Sequence, residues 1–208
     1  MKRFGLLLAA VAASLLASCH INLIPETDFS DPKTFDLATP APITGLPFAV
    51  DVETFSNECA GRYKMVLRKD ENQIEIDEYN RWAIPPAAML TKYLSARFAS
   101  SPEGVRGKSK PLFSLDGSVL VCELNTQKKQ VCMMVHYIIT DPGDDTFKIS
   151  GTENYSIPVE DDSAESFASG MNLAAAKFAD QVIDLLKKEI QGRTAAATPK
   201  PAAVPQNS

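Results

Sequence analysis

The sequence predicts an α+β fold: a mainly antiparallel sheet covered on one face by two helices, in the order β-β-β-α-β-β-β-α. Three observations predict it. Short runs with a period of two recur on both sides of the middle of the chain. Between them the stretch Tyr79–Phe98, YNRWAIPPAAMLTKYLSARF, turns an extended segment through a Trp-X-X-Pro-Pro corner into an amphipathic helix. A single long apolar stripe, Phe167 to Leu186, repeats at helical spacing near the C-terminus. Two amphipathic helices and a set of half-apolar strands bury their apolar sides most simply in two layers.

Taken in order, Met1–Ser18 has Lys2 and Arg3, an apolar run Phe4–Leu16 and small residues, which is the layout of an export signal. It is too short to span a bilayer stably. Leu16-Ala17-Ser18-Cys19 resembles the lipobox of bacterial lipoproteins. That resemblance implies cleavage before Cys19 and acylation of Cys19 on its sulfur and new amino group, palmitate being one such chain. Two or three acyl chains, at about 0.8 kcal/mol per buried methylene, anchor a protein without spanning the membrane. His20 stands where an aspartate favours retention in the inner membrane by the enterobacterial pattern, so the expected address is the outer membrane, facing the periplasm.

Residues 19–45 contain Pro25, Pro32, Pro40 and Pro42 with little periodicity and read as a lipidated tether. The folded domain is expected over 46–192, and 193–208, TAAATPKPAAVPQNS after Arg193, as a disordered tail. In Pro47–Phe55, Phe48, Val50 and Val52 alternate with polar or small residues, a half-buried strand. Asn57–Gly61 is read as turning the chain, and Tyr63–Arg68 pairs with Gln73–Tyr79 across a Lys69-Asp70-Glu71-Asn72 loop. Pro85 or Pro86 opens the first helix, where a missing N–H is harmless. Met89, Leu90, Tyr93, Leu94 and Phe98 form its apolar face. Trp82, the single tryptophan, is placed under the helix start.

After a surface loop over 100–110, Ser118–Leu124 and Gln130–Thr140 form a hairpin. With its turn centred on Gln127, Cys122 lies opposite Cys132 and Leu120 opposite Met134, making the two cysteines a candidate disulfide in an exported chain. The competing reading is two buried thiols acting as small hydrophobes, with Cys59 left over or partnering either one. Asp141-Pro142-Gly143-Asp144 has turn chemistry and leads into Thr146–Ile157. The last helix is expected from about Ser163 to Gln191, capped by Asp162 and stopped by Gly192.

The corner carries a family resemblance. Tyr79, Trp82, Pro85 and Pro86, in Tyr-X-X-Trp-Ala-X-Pro-Pro followed by Leu90 and Leu94 and preceded by a hairpin, are similar to the ABC-type transport auxiliary lipoproteins, the PqiC-like family, over roughly Pro47 to Gln191. This resemblance implies that the corner residues are structural. It also implies a lipoprotein that accompanies mammalian-cell-entry (MCE) and paraquat-inducible systems, in which lipid moves between two membranes. The implied partners are an MCE-type periplasmic transport protein and, as a candidate ligand, a lipid. The chain would then dock the transport complex at the outer membrane.

Composition excludes other classes. A net charge of −5 and no basic stripe argue against nucleic-acid binding. The hydrolase elbow, zinc motif, P-loop and dinucleotide fingerprint are missing, so no enzyme, cofactor or metal is expected. Gly104, Gly107, Lys108 and Lys110 lack Walker spacing. Glu75, Asp77 and Glu78 read as a solvated sheet face rather than a metal site, and Asp141, Asp144 and Asp145 as a turn rather than a calcium site. Cys59 and His136 match no cysteine-enzyme signature. The alternative class is a tethered activator of a cell-wall synthase or other envelope enzyme.

Overall fold

A computed structural model describes residues 31–99 and 112–197, with side chains to residue 193. The elements are β1 (Lys33–Phe35), β2 (Ala49–Val52), β3 (Ser56–Asn57), β4 (Lys64–Arg68), β5 (Ile74–Trp82), α1 (Pro86–Phe98), β6 (Leu112–Asn125), β7 (Gln130–Asp141), β8 (Asp144–Pro158) and α2 (Ala164–Ala197). They form one eight-stranded sheet in the order β1-β5-β4-β6-β7-β8, with β2 and β3 also alongside β6. Helix α1 packs on β2, β3 and β6, helix α2 on β1, β7 and β8, and the helices touch each other. The class is α+β.

The sheet is mixed rather than mainly antiparallel. β4–β5, β6–β7 and β7–β8 are antiparallel hairpins, whereas β1 runs parallel to β5, and β2, β3 and β4 run parallel to β6. Parallel pairing requires a crossover, and β5 with α1 provides it by carrying the chain from the end of β4 back to the start of β6. The hairpins have local signals, but no local pattern marks the crossover pairs.

The segment 57–61 does not reverse the chain. Val52 lies beside Leu115, Ser56 beside Ser118 and Leu67 beside Leu124, so β2, β3 and β4 are one interrupted strand travelling in a single direction along β6. The slack is taken up by an excursion through Gly61, φ +82°, and Arg62, φ +52°. A side chain on Gly61 would stand 2.5 Å from Val66 Cγ2, so glycine is required both for its backbone and for space.

Part of the expected tether is folded. β1 pairs with the end of β5, Ala83 N–H donates to Phe35 O, Leu37 is buried in the core, and Ile43 N–H donates to Arg97 O. Lys92 holds Asp36 at 2.6 Å. Five strands therefore precede α1 instead of three, and residues 33–46 form a strap across α1. Three-residue strands lack enough period to be read from sequence.

The core lies between the sheet and the helices. Met89, Leu90, Tyr93, Leu94 and Phe98 of α1 are buried as expected, with Pro85 at the N-cap and Pro86 opening the helix. Trp82 packs edge-on against Phe167 of α2 at 5.1 Å. Phe178 sits among Phe55, Tyr137 and Tyr155 at 5.8–6.3 Å. Each fully buried aromatic contributes about 1.5–3 kcal/mol from water exclusion.

The termini of α2 also differ from expectation. The cap is Ser163, whose Oγ accepts from Ser166 N–H at 3.1 Å, while Asp161 accepts from Ser163 N–H and Oγ–H. The helix runs through Gly192 to Ala197 because Arg193 is anchored. Its guanidinium holds Asp141 at 2.7 Å and Glu189 at 3.0 Å and lies 4.5 Å from the centre of Phe147. These contacts offset the roughly 1 kcal/mol cost of a helical glycine.

Candidate docking surfaces

Cys19 lies outside the described residues. The corner residues separate into two groups. Trp82 and Pro86 are buried, Trp82 being 1% exposed, and Pro85 and Pro86 set the start of α1. Tyr79 is 59% exposed. The cause is a bulge in β5. Lys64 pairs with Arg81 but Val66 already pairs with Ile76, so Asp77–Asn80 stand opposite Met65 alone. Asp77 fixes the bulge by accepting from Tyr79 N–H, Asn80 N–H and Asn80 Nδ2 at 2.8–2.9 Å. Burial raises the Asp77 carboxyl, but these hydrogen bonds outweigh it and hold it below its usual range. An Asp three residues before an Asn inside an alternating strand was the signal in the sequence.

Cys122 and Cys132 do not face each other. The loop holds four residues, Asn125 pairs with Gln130, and Lys128 N–H donates to Asn125 Oδ1. The pairing is thereby displaced by one residue: Cys122 opposes Met133, and Cys132 opposes Glu123. A one-residue slip sends the two side chains to opposite faces of the sheet. Cys122 is buried with Sγ 3.7 Å from Met171 Sδ, Cys132 is half-buried on the outer face, and both are free, as is Cys59. A second irregularity between Val119 and Val121 restores Val119 opposite Val135. The expected bridge is thus replaced by the alternative of separate thiols.

No thiolate nucleophile is built from these groups. Burial pushes the Cys122 thiol well above its ordinary value and raises Cys59 and Cys132. His136 stands on the outer face, Nδ1 3.1 Å from Thr152 Oγ1, and Cys59 is hydrogen-bonded to Asn57. Glu75 and Glu78 hold Lys69 and Lys64. Asp141 and Asp144 face Arg193. Among the described residues no three His, Cys, Asp or Glu side chains gather to hold a metal, and no described helix is long and apolar enough to cross a membrane.

What the fold does offer is an edge. β8 spans Asp144–Pro158 and pairs among the described residues with β7 alone. Its inner side chains lie half-buried under α2, with Tyr155 Oη–H donating to Gln181 Oε1 at 2.5 Å. Lys148, Ser150, Thr152, Asn154 and Ser156 point to the open face. An unbroken ladder with β7 from Gln130–Pro158 to Thr140–Lys148 holds one side of the strand, and no other described strand pairs with its far side.

A family model described as ABC-type transport auxiliary lipoprotein component matches residues 39–183. Among solved structures, an uncharacterized protein is similar with TM-score 0.59 at 12% identity, covering 75% of this chain and 99% of that one. A protein from Xanthomonas campestris is similar with TM-score 0.58 at 12% identity, covering 76% and 99%. Both likenesses concern the fold alone. Comparison with curated proteins finds no match.

Proposed function

The chain belongs to the ABC-type transport auxiliary lipoprotein family, and on that premise we propose that it is a non-catalytic docking subunit of an MCE-type lipid transport system. Acyl chains on Cys19 hold it to the outer membrane, and the folded unit receives the end of a periplasmic transport protein. The observation that carries this reading is the family match over most of the folded unit, joined to the lipobox at Leu16–Cys19. The β8 edge supports it. An extended segment of the MCE-type protein adds there as a further strand, main-chain hydrogen bonds supplying affinity and the alternating open-face side chains supplying register.

The test uses the lipidated chain in its own envelope with a photo-crosslinking side chain in place of Ser150, and Lys187 on α2 as the comparison position. The expected result is a crosslink from position 150 to an MCE-type protein and little from 187. A penicillin-binding protein captured instead at 150 replaces the transport reading with activation of a cell-wall enzyme. Metabolic labelling with palmitate tests the anchor separately: Cys19→Ser abolishes incorporation and moves the protein out of the membrane fraction.

A further inference from the structure

The surface where the chain departs toward residue 19 is distinctive. β1 places Lys33 beside Asn80, Thr34 beside Arg81 and Phe35 beside Trp82, so the segment leading back to Cys19 leaves from next to Asn80. Thr34, Arg81 and, across the ladder in β4, Lys64 share one row, and with Gly61, Tyr63 and Trp82 they line an open groove of about 510 Å³. Among the described arginines, Arg68, Arg97 and Arg193 each hold a carboxylate. Arg81 reaches only Thr34 Oγ1, at 3.4 Å, and Arg62 lies 5.2 Å above the Tyr63 ring; neither has a carboxylate partner among the described residues. Lys64 is held by Glu78 at 2.5 Å. Tyr63 and Tyr79, 41% and 59% exposed, stand at the same end of the hairpin.

Two uncommitted guanidinium groups and two open tyrosine rings at one place, on a chain whose net charge is −5, fit an anionic and amphipathic surface. Guanidinium groups bind phosphate oxygens in bidentate fashion, and tyrosine has an apolar body with a polar tip suited to the boundary between headgroup and acyl chain. The strand order puts β1 and β8 at opposite ends of the sheet. The β8 edge is therefore separated from the β1, β5 and β4 patch by the width of β6 and β7.

We propose that the groove and its rim, Arg62, Tyr63, Lys64, Tyr79 and Arg81, rest on the leaflet that carries the anchor, with Arg62 and Arg81 on anionic phosphate headgroups. This rests on the reading of Cys19 as the anchored residue. From residue 19 to residue 33 is roughly 14 steps, which no conformation can stretch beyond about 50 Å. The patch is thus never far from the leaflet, and because the anchor already holds the domain there, even a modest contact orients it. The domain then stands on its β1 side and presents β8 to the periplasm.

The test is sedimentation with vesicles of the mature chain from residue 19 carrying Cys19→Ser, which keeps every described contact and lacks acyl chains. The expected result is binding to phosphatidylcholine vesicles containing phosphatidylglycerol, weak binding to phosphatidylcholine alone, and loss in high salt. Each basic side chain near an anionic leaflet is worth about a fivefold factor, so Arg62→Gln with Arg81→Gln lowers the partition coefficient about 30-fold. Lys177→Gln with Lys188→Gln, on α2, leaves it within about twofold. Both arginines are exposed, so the fold survives the change. Absence of binding to the anionic vesicles, equal binding to neutral ones, or equal losses in the two double variants overturns the proposal. Failure of the anchor reading is a separate result, read from the mass of Cys19 in the native protein.

Discussion

Two glycines in α2 make opposite predictions from identical chemistry. Replacing glycine by alanine inside a helix ordinarily stabilises by about 1 kcal/mol. At Gly192 a new Cβ meets nothing within 4 Å, so Gly192→Ala is expected to stabilise by about 0.5–1 kcal/mol. At Gly170, which is buried, the Cβ would stand 2.5 Å from Val131 Cγ2, 3.0 Å from Val131 Cβ and 3.3 Å from Val159 Cγ1. Optimal carbon–carbon contact is about 3.5–4.0 Å. Val131 is fully buried and β-branched, so its methyl groups have no free rotamer to retreat into, and the helix must move off the sheet. Overpacking of this kind costs about 1–3 kcal/mol and outweighs the propensity gain, leaving Gly170→Ala destabilised by about 1–2 kcal/mol. The two variants should differ by about 1.5–3 kcal/mol in urea unfolding, and by several degrees in midpoint temperature for a domain of this size. Adding Val131→Ala to Gly170→Ala should recover part of the loss, giving a non-additive cycle. A Gly170→Ala protein as stable as the parent would refute the close packing of α2 on β7 at this point.

Trp82→Ala should cost about 3–5 kcal/mol, because the ring is 1% exposed and fills the space against Phe167; urea unfolding followed by circular dichroism measures it, and a loss under about 1 kcal/mol would contradict the packing. Cys122→Ser should cost about 1–3 kcal/mol, its hydroxyl being buried beside Met171, whereas Cys132→Ser on the outer face should stay within about 0.5 kcal/mol. The unreduced exported protein should show no mass change at the β6–β7 hairpin on reduction. Hydrogen bonds from Ser163 and then Ser166 hold the Asp161 carboxyl down at about 2. A folded-state pKa below the unfolded value of about 3.9 gives stability present above pH 4 and lost as pH falls toward 2. Asp161→Asn should therefore flatten the acid limb of a denaturation-versus-pH curve between about pH 4 and 2 and leave its shape near neutrality; an unchanged acid limb would remove Asp161 from the cap.

Several features were legible without the fold because their causes are local. The Pro85-Pro86 start of α1, the buried face Met89 to Phe98, the Asp141-Pro142-Gly143-Asp144 turn and the apolar stripe of α2 all follow from dihedral limits and periodicity within a few residues. The family corner was legible for the same reason, and so was the α+β class. Register was not. Whether Cys122 meets Cys132 or Met133 depends on one residue in a four-residue loop, and composition does not distinguish a turn centred on Gln127 from one displaced by a residue. The strap at 33–46 looked like a tether because its order comes from distant partners, Asn80–Trp82, Lys92 and Arg97, rather than from its own sequence.

The sequence by itself determined the local geometry of the Pro85-Pro86 corner, the Asp141–Asp144 turn and the helical faces, and it carries at Cys19 the pattern that resembles a lipobox. Only the tertiary structure decided which strands run parallel and, among the described residues, which edge has a single neighbour and which arginines have no carboxylate partner. Those properties depend on pairs of residues brought together by the crossover through α1, and pair energies between segments far apart in the chain leave no periodic trace in either segment alone.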